Sequence, residues 1–168
     1  MPTSKTLSVF DALAGRPPSA NFAQLDVRND HIVLDFDDTA AESIDFCSVL
    51  PQDYAGGDLR VVVTWAATSA TTGDVVWQAE FERHHIDDST LGTHDLDNDD
   101  FGAAATASTA TSTSAGELMQ TIIDLPATDA DNPAAGESFR LRVSRVATSG
   151  SDTMTDDAEL VAVELREV

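Results

Sequence analysis

The chain has 168 residues, and its 30 Asp and Glu residues outnumber its 9 Lys and Arg residues, which gives a formal net charge of -21. This excess disfavours nucleic acids and anionic membrane surfaces as partners, because both bind basic surfaces. Hydrophobic residues make up 42% of the chain, enough for one domain with a buried core.

The acidic excess also suggests a high-salt environment. The electrostatic screening length falls from about 10 Å at 0.1 M salt to about 3 Å at 1 M, so the self-repulsion of such a surface weakens in salt. The alternative is an ordinary acidic protein that its charge keeps in solution.

The chain has one cysteine, Cys47, so no intrachain disulfide can form. Its apolar neighbours favour a small buried thiol. The N-terminus leads into no continuous hydrophobic stretch, and the longest apolar runs are far shorter than the roughly 20 residues of a membrane helix. We therefore expect a soluble chain that is made in a cytoplasm.

Apolar side chains recur at every second position along the chain, which predicts short strands. Eight candidates lie at 24–28, 32–36, 44–46, 59–65, 75–82, 117–125, 139–143 and 161–166. No crossover helix of about ten residues is recognisable, so we predict an all-β fold, a single antiparallel β-sandwich of the jelly-roll type. Trp65 and Trp77 occupy apolar faces of neighbouring strands and are expected to pack side by side in the core.

Three segments lack the strand pattern. Residues 1–23 contain two consecutive prolines and are predicted to form an extended N-terminal arm, with residues 24–168 forming the sandwich domain. Residues 87–116 are first acidic and then rich in Ala, Thr and Ser, which predicts a long loop that can include an edge strand in its Thr-rich half.

The acidic part of this loop contains a candidate calcium site. Asp95, Asp97 and Asp99 alternate as at the start of an EF-hand loop. The sixth position is Asp100 where that loop needs glycine, and the twelfth is Thr106, which cannot supply a bidentate carboxylate. A solvated acidic loop is the competing interpretation.

A zinc site at His84, His85 and His94 is a weaker hypothesis. Adjacent residues of a strand point to opposite faces, so His84 and His85 could not bind one ion, and we expect surface or edge histidines. The chain has no Gly-x-Ser-x-Gly turn and no phosphate-binding glycine loop, so we predict no enzymatic activity and no cofactor.

Four strings occur in order along the chain: LDFDD at 34–38, LPxxYxGG at 50–57, WAATSATTGDVVW at 65–77 and DDAEL at 156–160. Together they resemble small jelly-roll virion proteins of tailed bacteriophages and archaeal tailed viruses, which decorate heads or form short spikes. The resemblance covers roughly residues 24–168. It marks turns and core strands and includes no catalytic residues.

The resemblance implies a virion structural protein, a capsid decoration or head spike protein at the virion surface. The sandwich is then expected to form a homo-oligomer, with a trimer as the expected form, and the arm to contact the major capsid protein or another virion protein. Arg140, Arg142 and Arg145 share one predicted strand and are expected to pair with acidic residues across a subunit contact.

A glycan- or receptor-binding jelly-roll module is the alternative, because this fold also serves lectins. The loop at 87–116 or the loop Ala66–Asp74 would present the ligand, with calcium assisting. The small number of aromatic residues, seven Phe, two Trp and one Tyr, argues against this alternative, since sugar sites use an exposed ring.

The charge argument predicts that the melting temperature rises from low to molar salt, because screening removes more repulsion from the folded state than from the unfolded state. Thermal melts over that range measure the effect. A melting temperature that does not rise would remove the support for a saline environment.

Overall fold

A computed structural model describes residues 4–86 and 94–168. Ten β-strands form within these residues, along with two 3-10 helices at Ala12–Ala14 and Ala127–Ala130. The strands are β1 (Lys5–Asp11), β2 (Gln24–Arg28), β3 (His31–Phe36), β4 (Glu42–Val49), β5 (Leu59–Ala67), β6 (Asp74–His84), β7 (Ala105–Ala110), β8 (Met119–Leu125), β9 (Ser138–Arg145) and β10 (Ala158–Glu167). Among the described residues, no helix is long and apolar enough to span a membrane.

The strands form two antiparallel sheets with the core between them. One sheet has the order β2-β3-β10-β5-β8, with β1 also paired to β10, and the other has the order β4-β9-β6-β7. The predicted jelly-roll β-sandwich is confirmed, with ten strands in place of eight. One of the two additional strands is β7, the edge strand expected in the Thr-rich segment.

Strand β10 organises the larger sheet. One of its edges pairs with β5, and its other edge pairs first with β3, over Ala158–Leu160, and then with β1, over Ala162–Glu167. The register with β5 shifts between Leu160 and Ala162. This irregularity lies where one partner strand replaces the other, and a bulge there increases the local twist.

Residues 5–23 belong to the sandwich, in contrast to the predicted extended arm. Strand β1 pairs with β10, and the chain beyond it runs along β4. The N–H of Arg16 donates to the carbonyl of Asp45 at 2.8 Å, and the N–H of Ser43 donates to the carbonyl of Asn21 at 2.9 Å. The two prolines interrupt regular pairing, but the backbone groups around them find partners in the sheet.

The core position predicted for the two tryptophans is confirmed. Trp65 and Trp77 are fully buried, and their ring centroids lie 6.2 Å apart. They come from different sheets, so they contact each other across the sandwich. The indole N–H of Trp65 donates to the Thr121 hydroxyl at 3.0 Å, which satisfies its polar atom inside the core.

Arg145 is fully buried at one end of the sandwich. Its Nε and Nη2 donate to the two carboxylate oxygens of Asp152 at 3.2 and 2.9 Å. Its Nη1 donates to the carbonyls of Phe36 and Asp156 at 3.2 and 2.7 Å, and its Nη2 also donates to the carbonyl of Met154 at 2.8 Å. These contacts use the five donors of the guanidinium group.

The other two arginines of β9 also pair within the chain. Arg140 Nε donates to Glu82 at 2.6 Å, and Arg142 contacts both carboxylate oxygens of Asp45 at 2.7 and 2.9 Å. Their carboxylate partners, like that of Arg145, lie in the same chain, which differs from the predicted pairing across a subunit contact.

Replacing Arg145 by Met should strongly destabilise the fold, because it leaves the Asp152 carboxylate buried without a counter-ion. Loss of one partner of such a pair typically costs about 3 to 5 kcal/mol. Urea denaturation measures the change. Arg60→Met is the control, since Arg60 pairs with Asp124 at the exposed surface and should leave the midpoint unchanged. Equal midpoints for the two variants would contradict the structural role of Arg145.

Candidate functional site

An apolar groove of about 600 Å³ lies where residues 12–25 cross the sheet edge. Its floor includes the buried side chains of Leu34 and Ile44. Its rim carries three exposed side chains, Leu13 at 62%, Phe22 at 41% and Leu25 at 58% exposure. Large apolar side chains that face solvent around a concavity are typical of a binding surface.

Gly15 allows the segment of residues 12–25 to lie close to the sheet. A Cβ atom at this position would come within 2.8 Å of Ile44 Cγ1 and 2.9 Å of Leu34 Cδ1. The helical turn before Gly15 is capped by Asp11, whose carboxylate accepts from the N–H of Ala14 at 3.0 Å. The capped turn and the close approach at Gly15 therefore fix the position of the segment that forms one wall of the groove.

An acidic cleft of about 290 Å³ adjoins the groove, and the two share Gln24 and Leu25. Its carboxylates come from β2, from β3 and the turn after it, from β4, and from the residue that precedes β10. They are Asp26, Asp35, Asp37, Glu42 and Asp157.

Asp35 is the most perturbed carboxyl of the cleft. Burial, followed by the charges of Asp157, Glu159, Asp26 and Glu42, raises its pKa to about 6. One of its oxygens, Oδ1, is buried and has no hydrogen-bond partner within the described part of the chain. A buried acceptor without a donor destabilises the protein until a ligand or a solvent molecule supplies one.

Two neighbouring carboxyls are perturbed in the same direction. Burial is the largest cause of the raised pKa of Glu42 and of Asp157, and nearby carboxylates add to it. Each of these carboxylates already accepts one backbone N–H, from Asp37 at 2.9 Å and from Asp38 at 3.1 Å respectively. The cleft therefore concentrates hydrogen-bond acceptors in a partly desolvated place.

The three candidate calcium ligands lie in one exposed turn. Asp95 accepts from the N–H of Asp97 at 3.0 Å and from the Asn98 side chain at 2.6 Å, and Asp99 accepts from the N–H of Asp95. These bonds lower the pKa of Asp95. The carboxylates of Asp95 and Asp99 thus hold the turn together, and a calcium site at Asp95, Asp97 and Asp99 stays a prediction.

Among the described residues, none from the two loops that the glycan alternative named lines the groove. The loop Ala66–Asp74 is tied to Asp156, whose carboxylate accepts from the Ser69 hydroxyl at 2.6 Å and from the N–H of Ala70 at 2.8 Å. Within the segment 87–116, residues 87–93 lie outside the described residues, and Ala105–Ala110 forms β7.

Surface or edge histidines were expected, but His94 is largely buried. The rings of His84 and His94 lie 4.7 Å apart, and the side chain of His94 is only 9% exposed. Glu82 completes a cluster with these two residues. Glu82 was not among the predicted metal ligands, although a spacing of two residues places Glu82 and His84 on one face of a strand.

The sequence also left Phe22 and Asp35 unassigned. Phe22 lies in the segment expected to be an arm, and Asp35 lies in the predicted strand 32–36, where its side chain was given no role. An aromatic residue outside any alternating pattern was the available indication for Phe22. The burial that raises the pKa of Asp35 depends on strands distant in sequence, so no local pattern could have revealed it.

No protein-family model matches the chain, and no curated protein matches it. Solved structures do share its fold. A carbohydrate-binding module from Cellvibrio mixtus lichenase 5A, in complex with cellotriose, aligns over 97% of this chain and 98% of its own, at 10% identity and a TM-score of 0.50. An exo-β-1,3-galactanase from Phanerochaete chrysosporium, with galactose, aligns over 95% of this chain at 11% identity and a TM-score of 0.51. This chain spans 29% of the galactanase.

These similarities correct the expected function. The prediction of a capsid decoration or head spike protein is wrong, because the solved structures that share the fold include a carbohydrate-binding module and a galactanase. The resemblance to virion proteins, the capsid partner and the virion-surface location were linked to that function and stay untested predictions.

The raised pKa of Asp35 makes a prediction about stability. Below its ordinary value of 3.8 the group is protonated in both states, and as the pH rises through about 6 the folded state must accept an unfavourable charge. The free energy of unfolding therefore falls as the pH rises from 3.8 to about 6. Asp35→Asn should be more stable than the parent at pH 7.5, and the difference should shrink at pH 4.

Urea denaturation at both pH values measures this difference. Asp124→Asn is the matched control, because Asp124 is an exposed carboxylate paired with Arg60 and should show no gain at pH 7.5. An Asp35→Asn variant that is no more stable than the parent at pH 7.5 would show that ionised Asp35 does not destabilise the folded state.

Proposed function

We propose that the chain is a non-catalytic carbohydrate-binding domain that holds a neutral oligosaccharide across the apolar groove and the acidic cleft. The observation that carries the proposal is the continuity of the two surfaces: an exposed aromatic ring, Phe22, borders the groove, and an unpartnered acceptor, Asp35 Oδ1, lies in the adjoining cleft. Apolar concavities with a few convergent polar groups are the usual form of a small-molecule site.

The apolar groove suits the C–H face of a sugar ring. Phe22 is 41% exposed and stands with Leu13 and Leu25 at the rim, so a ligand there removes apolar area from water. This exposed ring answers the objection that the chain has too few aromatic residues for a sugar site.

The acidic cleft suits the hydroxyl groups of the same ligand. Hydroxyls donate hydrogen bonds, and bonds to ionised carboxylates are stronger than bonds between neutral groups. A hydroxyl beside Asp35 would supply the donor that its buried Oδ1 lacks. Gln24, shared by cleft and groove, offers both a donor and an acceptor where the two surfaces meet.

Charge narrows the ligand class. The cleft contains five carboxylates, and the whole chain carries a formal charge of -21. Uronic acids and sulfated sugars would be repelled by this field, whereas a neutral sugar is not. The galactose and cellotriose bound to the two structures with the same fold are both neutral.

Glycan-array screening of the protein, with and without calcium, identifies the ligand and tests whether calcium assists. Isothermal titration calorimetry then compares the parent with Phe22→Ala. We expect the variant to bind about tenfold more weakly, because loss of a stacked ring costs about 1.5 kcal/mol.

Ile122→Ala is the control, since Ile122 on β8 is 49% exposed and lies outside both surfaces. It should bind like the parent. Absence of neutral glycans among the ligands, or equal affinity of Phe22→Ala and the parent, would contradict the proposal. Chromatography of the sugar after incubation checks the non-catalytic part, which cleavage of the ligand would refute. Sedimentation analysis tests the predicted trimer.

A further inference from the structure

Three side chains converge at the end of β6, on the outer face of the four-stranded sheet. Glu82 and His84 are two residues apart on this strand, and His94 reaches them from the segment that precedes β7. One potential ligand atom from each residue, a carboxylate oxygen or an imidazole nitrogen, lies within 4.8 Å of the other two. This cluster is separate from the groove and the cleft.

The distances approach those of a tetrahedral metal centre. Glu82 Oε1 lies 3.2 Å from His84 Nε2 and 3.9 Å from His94 Nε2. Ligand atoms at about 2.0 to 2.2 Å from a zinc ion in tetrahedral geometry are about 3.3 to 3.6 Å from one another. The two measured distances are thus within about half an ångström of tetrahedral values, and the ligand atoms of the two histidines lie within 4.8 Å of each other.

Contacts to the Nδ1 atoms of both histidines orient their Nε2 atoms toward Glu82 Oε1. His94 Nδ1 pairs with the Asp99 carboxylate at 2.6 Å, and His84 Nδ1 lies 3.4 Å from the Ser138 hydroxyl. A carboxylate on the far nitrogen is the usual support of a metal-binding histidine, because it fixes the orientation of the ring and makes the ligating nitrogen more basic.

His94 Nε2 provides an independent indication of a ligand. The side chain is 9% exposed, and this nitrogen is buried without a hydrogen-bond partner among residues 4–86 and 94–168. A buried imidazole nitrogen that faces a carboxylate oxygen and a second imidazole, and bonds to neither, is in the position that a metal ligand occupies.

We propose that Glu82, His84 and His94 bind a zinc ion. Two imidazoles and one carboxylate are a set that zinc accepts, whereas calcium and magnesium prefer oxygen ligands alone. Glu82 uses its two oxygens separately: Oε2 accepts from Arg140 at 2.6 Å, and Oε1 faces the histidines. Arg140 thereby orients the carboxylate without occupying the ligating oxygen.

A small pocket lies beside the cluster. His94 lines this pocket of about 180 Å³, together with Arg83, His85, Asp99, Asp100 and Asp131. The three protein ligands would leave the fourth position of a tetrahedral zinc ion to a water molecule. The ion would tie the segment after residue 94 to β6.

Isothermal titration calorimetry of the untagged full chain with zinc chloride, in 0.5 M NaCl to screen diffuse binding to the acidic surface, tests the site. We expect one ion per chain, with affinity reduced at least 100-fold in both His94→Ala and His84→Gln. Asp99→Asn should bind 10- to 100-fold more weakly, because Asp99 supports the His94 ring. Cobalt substitution should give the absorption spectrum of a tetrahedral centre.

Two control variants separate this cluster from other acidic or histidine-containing surfaces. His31→Ala, at an exposed position of β3, and Asp124→Asn, at an exposed position of β8, should both bind zinc like the parent. Retained one-to-one binding in His94→Ala and His84→Gln would overturn the assignment, as would the absence of stoichiometric binding in the parent. Thermal melts of each variant verify that it folds, and zinc should raise the melting temperature of the parent and of both controls but not that of His94→Ala or His84→Gln.

Discussion

The buried guanidinium of Arg145 sets the end of the sandwich where the acidic cleft opens. Desolvation of a charge is costly unless every donor is satisfied, and satisfaction here requires carbonyls from both β3 and the connection to β10. Phe36 and Asp156 supply two of those carbonyls. Asp37 and Asp157, the next residues along the chain, are therefore placed on the walls of the cleft by the same guanidinium.

The sandwich was predictable because one face of each strand is buried, so period-two alternation records which side chains face the core. The same alternation also distinguishes the inward-facing from the outward-facing arginines of β9. Phe139, Leu141 and Val143 face the core, and Arg145 continues that series, whereas Arg140 and Arg142 belong to the outward one. Strand β1 was missed because most of its side chains are exposed or half-exposed, so its alternation is weak.

The functional surfaces were harder to predict than the strands, because they combine strands with irregular segments. Phe22 and His94 both lie outside strands. Phe22 is placed by a bridge to Ser43 of β4, and His94 by the contact of its Nδ1 with the Asp99 carboxylate. Only the shared strand face of Glu82 and His84 could have been read directly from the spacing.

The acidic excess is distributed unevenly between paired and unpaired carboxylates, and this difference bears on function. Arg83, Arg140, Arg142 and Arg145 neutralise carboxylates on or beside the four-stranded sheet. None of the salt bridges among residues 4–86 and 94–168 includes a carboxylate of the acidic cleft, where repulsion and burial raise the pKa of Asp35. The fold thus tolerates a local loss of stability at the surface proposed to bind sugar. Binding sites commonly contain such unfavourable groups, because a bound ligand supplies interactions that these groups lack in the free protein.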